Sequence, residues 1–186
     1  MSASKNIWFS ADYHLGHTNI LKYDQRPFKT IEDHDEAIIS NHNAVVKPTD
    51  DFYFLGDFCF NKNKGEEYIG RLMGNLHFIS GNHDYSNTIK LYEKYGTYMG
   101  GLAEIKGYNR RIVLCHYRLE VWNGSHRGSW CIHGHSHGAL HARPNTLDVG
   151  INTQISNYSP VSIARVKNHM NRFNTIGFDT APNTVV

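Results

Sequence analysis

Trp130-Cys131-Ile132-His133-Gly134-His135-Ser136-His137-Gly138 starts as a short apolar run and breaks at Gly134 into two histidines one residue apart. On an extended backbone, side chains at i and i+2 point to the same side. Two imidazoles aimed at one point suit metal ligation, and core packing rarely needs them. Glycines at 134 and 138 free the backbone to turn and to approach other segments closely. The same i, i+2 spacing recurs at Asp12 and His14, again just after an apolar run, 6–10. Three more apolar runs end in polar residues of the same kinds. Residues 51–55 lead into Gly56-Asp57, residues 75–80 into Gly81-Asn82-His83-Asp84, and residues 111–115 into His116. Carboxylate, carboxamide and imidazole without thiolate make a mixed N/O donor set that suits Mn²⁺, Fe, Zn²⁺ or Co²⁺ better than Mg²⁺ alone.

Such a site forms only if the fold brings these strand ends together. Thr30 is an N-cap for a helix over about 31–46, with Glu32, Asp33, Asp35 and Glu36 where a helix start favours negative charge. That acidic cluster therefore reads as a solvated helix start and not as a second metal site. Residues 64–73 and 86–95 carry helical patterns as well. Helices between the first three strands imply parallel crossovers, which put the strands' C-terminal ends on one edge, where α/β sheets bind ligands. Residues 98–105 and 109–114 read as a hairpin around Gly107-Tyr108. Residues 145–149 and 161–164 read as short strands, with a helix over 162–173 as the alternative for the last. The expectation is one α/β domain over 1–173 and a C-terminal tail over 174–186.

Composition bounds the function classes. Of 186 residues, 40% are hydrophobic and 19% charged, the net charge is +2, and thirteen are histidine. A balance this mild does not call for a polyanion-binding groove. Without a signal-like start or an apolar run of membrane-spanning length, the chain reads as a cytoplasmic protein that enters no membrane. Cys59, Cys115 and Cys131 are scattered in apolar runs and read as buried, reduced thiols.

The ordered set DxH, GD, GNHD, an isolated His after a strand, and GHxH resembles the calcineurin-like metallophosphoesterase superfamily over about residues 6–165. The DxHxGH opening and the Arg26-Pro27-Phe28 segment resemble a small bacterial and phage-associated branch of it. The resemblance implies a two-sheet β-sandwich flanked by helices, the αββα architecture. It also implies two divalent transition-metal ions, with manganese favoured. Asp12, His14, Asp57 and His137 would hold one ion, and Asp57, Asn82, His116 and His135 the other, with Asp57 bridging. Hydroxide between the ions would attack a phosphate ester, and His83 would protonate the leaving oxygen. An imidazole suits that role near neutral pH.

Other residues are expected at the margin. His17 and Arg26 would contact phosphate as substrate-binding groups. Asp84 would cap the helix beginning near Ser86, with orientation of His83 as the alternative. His133 would be packed or support a ligand. The segment 117–129 reads as a surface loop with Trp122 packed inward, although Trp122 and Arg118 could instead stack on a base and clamp a phosphate. The substrate expected is a small phosphodiester or nucleotide, and a short single-stranded nucleic acid would also fit an open site. The alternative function is a metal-bound binding module without catalysis. Nothing in the sequence fixes the oligomeric state.

Overall fold

The computed structural model describes residues 5–61 and 63–175. Strands β1 (Ile7–Ser10), β2 (Asp51–Leu55) and β3 (Asn75–Ile79) pair in parallel in the order of the chain. Helices α1 (Ile20–Tyr23) and α2 (Ile31–Val45) lie in the first crossover, and α3 (Gly65–Gly70) in the second. Thr30 caps α2 as expected, its hydroxyl accepting from the Asp33 N–H at 3.1 Å. Helix α4 (Ser86–Tyr95) leads to β4 (Thr97–Tyr98), which pairs parallel to β3.

A second sheet holds β5 (Leu102–Gly107), β6 (Arg110–Cys115), β7 (Trp130–His133) and β8 (Thr146–Asp148) in that order. β5 and β6 form the hairpin, and β6, β7 and β8 run parallel. The turn is Tyr108-Asn109 and not Gly107-Tyr108: Gly107 pairs with Arg110, and both central residues have positive φ, 50° and 57°. Two-residue hairpins favour that twist. Both readings of the C-terminal segment hold in part. β9 (Val161–Ser162) pairs antiparallel to β1, and α5 (Ile163–Thr175) starts at the next residue. Of the tail expected over 174–186, residues 174 and 175 close α5 and the rest lies outside the described residues.

Alternation along β2 explains the layers. Tyr53 and Leu55 join Phe9, Ile79, Ile112, Leu114, Trp130 and Ile132 in a core between the two sheets. Phe52 and Phe54 point the other way, into an aromatic core with Tyr13, Phe58, Phe78 and Tyr92 beneath α2, α3 and α4. Phe78 and Tyr92 stack there with ring centres 4.2 Å apart. α5 adds Val166 and Met170 to the core between the sheets. The fold is thus α/β, two sheets face to face with helices outside. Burial on both faces makes β2 a near-continuous apolar run, as central parallel strands are. The two sheets meet at their strand ends: Ala11 N–H donates to Val149 O at 3.2 Å, and Ile151 N–H to Ala11 O at 2.9 Å.

Candidate metal centre

Past the ends of β1 and β2 the two chains stay paired without remaining strands. Asp12 N–H donates to Gly56 O at 3.0 Å, His14 N–H to Asp57 O at 3.0 Å and Leu15 N–H to Phe58 O at 2.9 Å. Within this stretch Asp12, His14 and Asp57 have φ of 59°, 51° and 62°, and in the turn after β7 His135 and His137 have 66° and 49°. The expectation that extended backbone turns each i, i+2 pair to one side is therefore corrected. β1 stops at Ser10 and β7 at His133, and left-handed residues aim the side chains. Such conformations cost non-glycine residues on the order of 1–3 kcal/mol each and persist where surroundings over-determine them.

Five of the seven expected ligands close on one another. Ligand atoms of Asp12, His14 and His137 lie within 4.8 Å of one another, as do those of Asp12, Asp57 and His116. Asp57 Oδ2 lies 3.8 Å from His14 Nε2 and 3.5 Å from His116 Nε2, so this carboxylate faces both halves. Asp12 approaches His116 through Nδ1 at 4.0 Å, but that nitrogen is taken by Leu55 O at 2.7 Å. Asp57 is thus the carboxylate better placed to bridge. Asn82 Oδ1 is 3.0 Å from His116 Nε2. His135 is exposed and outside both close groups, its ring centre 5.1 Å from that of His116. Its backbone N–H donates to the Asp12 carboxylate at 3.0 Å.

Glycines let these motifs cross. A Cβ on Gly81 would stand 2.3 Å from Asp57 Oδ1, and one on Gly134 would stand 2.5 Å from the Ala11 Cβ and 2.7 Å from Asp12 Oδ2.

Arg26 is not where a phosphate contact would need it. It is 3% exposed, and its five N–H groups are all used, by four acceptor atoms. Nε donates to Asp24 at 3.1 Å, Nη1 to Tyr13 O at 3.0 Å and His34 Nε2 at 2.7 Å, and Nη2 to Asp12 O and Asp24, both at 3.0 Å. His34 must then carry its proton on Nδ1, which faces Asp35 Oδ1 at 2.8 Å. Asp35 Oδ2 accepts from Gly16 N–H and Tyr68 O–H, at 2.9 and 2.8 Å. The network grips the Asp12–Gly16 loop from beneath.

Three further acids escaped sequence reasoning as supports. Asp84 neither caps α4 nor orients His83. Its carboxylate accepts from Asp57 N–H and Gly81 N–H at 2.8 Å and from Phe58 N–H at 3.1 Å, tying two loops together. Asp148 accepts from Ser136 Oγ at 2.8 Å, Gly138 N–H at 2.9 Å and Gly150 N–H at 2.8 Å, fixing the turn that carries His135 and His137. Asp24 Oδ2 stands 2.8 Å from His137 Nδ1 as well as holding Arg26. Only the acidic residue type signalled them. His133 is buried with Nδ1 3.0 Å from Gly134 O.

Around the rim, the His17 ring stacks on Phe60 at 4.1 Å, and Phe60 also lies 4.8 Å from the ring of His83. His83 N–H donates to Asp57 Oδ1 at 2.9 Å, and its ring centre is 6.0 Å from that of His14. Phe60 was not anticipated, since it follows the strand pattern by five residues. Trp122 is half-buried and donates to Ser129 O at 3.2 Å, at the start of β7, the end away from the histidine turn. Tyr117 of the same segment is 46% exposed, with its ring 4.6 Å from that of His135.

The residues fit divalent cations. Both nitrogens of His14 are buried without a hydrogen-bond partner. Burial holds that imidazole neutral, its pKa down at about 2. A neutral imidazole is the ligand form. Burial pushes the Asp12 carboxyl up to about 7, against His137 and His116 nearby. Burial works to raise Asp57 too, but its hydrogen bond with His116 prevails and holds it below the usual range. Two buried carboxylates thus stand beside an unsatisfied imidazole, while Arg26 spends its donors behind the loop.

No family model matches the chain. It is 34% identical to the uncharacterized protein MJ1445 of Methanocaldococcus jannaschii over 168 residues, 86% of this chain and 88% of that protein. Among solved structures it is similar to a protein of unknown function, AQ665 from Aquifex aeolicus, with a TM-score of 0.71 at 22% identity over 89% of this chain and all of that one. That likeness speaks for the fold. Looser likenesses are to Pseudomonas putida nuclease MPE, with a TM-score of 0.47 at 17% identity over 70% of this chain and 61% of that one, and to Yfce, a phosphoesterase from E. coli, with 0.49 at 14% over 78% of each.

Proposed function

The chain belongs to the family of the uncharacterized protein MJ1445, and from that premise and its own residues we propose that it is a two-metal phosphoesterase. The observation that carries the reading is His14, buried with both ring nitrogens unpartnered and Asp57 Oδ2 3.8 Å from one of them. Asp12, His14, Asp57 and His137 would hold one ion, and Asp57, Asn82, His116 and His135 the other. Two such cations, of which manganese is the preferred pair, supply Lewis-acid activation of water and offset phosphate charge.

The chain's own groups do the rest. His83 is fixed through its backbone to Asp57 and through its ring to Phe60, leaving the imidazole to give a proton to the leaving oxygen. His17, stacked on Phe60, donates to a phosphate oxygen. Arg26 supports the Asp12–His14 backbone in place of the phosphate contact. The open rim favours a small phosphodiester or a nucleotide. Tyr117 beside His135, and Tyr23, 72% exposed with its ring 6.1 Å from that of His17, offer faces for a base on both sides. Base stacking on an aromatic ring is worth about 1–3 kcal/mol.

Turnover of paired aryl phosphomonoester and phosphodiester substrates by manganese-loaded protein tests this. Metal-dependent hydrolysis favouring the diester is expected. Two bound ions with no turnover on either ester would leave a metal-bound binding module.

A further inference from the structure

Behind the histidine turn lies a cavity of about 690 Å³ lined by none of the seven proposed metal ligands. Its walls come from five places: Arg118 after β6, His133 of β7, the segment 138–148, the segment 153–155, and α5 with Arg165 and Arg172. Arg165, Asn168 and Arg172 follow one another at helical spacing, so α5 presents them as one stripe. Neither Arg165 nor Arg172 pairs with a carboxylate among the described residues. Arg118 donates one bond, to His141 O at 3.0 Å, and keeps other N–H groups. The one acid in the lining, Asp148, already accepts from Ser136, Gly138 and Gly150. Three guanidinium groups therefore face a space with a single lining carboxylate, Asp148, which pairs with none of them among the described residues. Leu140 and Ile155 supply apolar wall beside them. The volume falls within the roughly 300–1,000 Å³ usual for small-ligand sites.

We propose that this cavity is a second ligand site, distinct from the metal centre, for a nucleotide with two or more phosphoryl groups. The guanidinium groups take the phosphates as planar, charge-assisted donors, and the apolar wall takes the ring. The site needs no metal and does not rest on the phosphoesterase reading. A chain of net charge +2 thus concentrates positive charge at one place.

The test is calorimetric titration of the full chain with ADP, pyrophosphate and adenosine. ADP should bind the wild type and the Asp57→Asn variant alike, because the metal centre is not involved. Arg165→Ala/Arg172→Ala should weaken ADP by about tenfold per arginine, about 1.4 kcal/mol each. Both arginines are exposed, so this variant should melt as the wild type does. Adenosine should not bind, and pyrophosphate should bind more weakly than ADP. Hydrolysis of an aryl phosphodiester should be unchanged in the double variant. No ADP binding, binding lost in Asp57→Asn, or binding indifferent to the two arginines would overturn the site. Pyrophosphate binding as tightly as ADP would overturn the nucleotide assignment.

Discussion

At the scale of single residues, the site depends on a few side chains held in costly positions. Asp57→Asn should lower metal content more than any other ligand change, since Asp57 Oδ2 faces both halves. Elemental analysis after reconstitution should fall from two ions per chain toward one or none, and two ions retained would remove the bridging role. His83→Ala should keep its metal and lose about 10²–10⁴-fold in turnover. The loss should shrink for a nitrophenolate leaving group, which needs no proton. An equal loss on good and poor leaving groups would make His83 a phosphate-binding group. The residue types were legible in the sequence because each stands where an apolar run ends. Their backbone was not: Asp and His enter the left-handed region more readily than most residues, but nothing in the pattern marks Asp12 or His137 as the ones that do.

Between elements, the supporting contacts decide geometry. Asp84→Ala removes three charge-assisted bonds that tie the loop after β2 to the loop after β3. It should destabilise by about 2–4 kcal/mol, and urea midpoints with metal titrations should fall together. A metal affinity untouched by the change would confine Asp84 to folding. In the hairpin, Asn109→Gly meets a φ of 57° and should stabilise by up to about 1 kcal/mol. The central strands were readable as short apolar runs, because burial on both faces leaves a continuous stretch, and the first crossover helix because the Thr30 cap leaves a local signal. The supports were not. Asp84 holds the Asp57 and Phe58 N–H groups, Asp24 the His137 ring and Asp148 the Ser136–Gly138 turn, partners that no local pattern reveals, and Arg26, expected at a phosphate, has every donor turned inward. The C-terminal segment was ambiguous because strand and helix abut at Ser162-Ile163.

Across the whole molecule, buried imidazoles set the response to acid. Burial holds His42 down at about 4, opposed by the Met73 carbonyl. Its folded pKa lies below the unfolded value near 6.5, so its contribution is complete above that value and is lost as pH falls toward 4. The loss should reach roughly 3 kcal/mol. Denaturant midpoints should drop across this window, and His42→Gln should flatten the drop; an unchanged slope would shift the cause to other groups. The Arg26 network has a further consequence. Because the Asp12–Gly16 loop is gripped by Asp24, His34 and Asp35 from inside the protein, the ligands are pre-organised, and the cation does not serve as the staple of the fold. Chelated protein should keep its far-ultraviolet dichroism and lose melting temperature only as far as mass action on the folded state dictates. Small metal-folded domains collapse when their ion is withdrawn; this chain should release its ions and take up others as a finished scaffold.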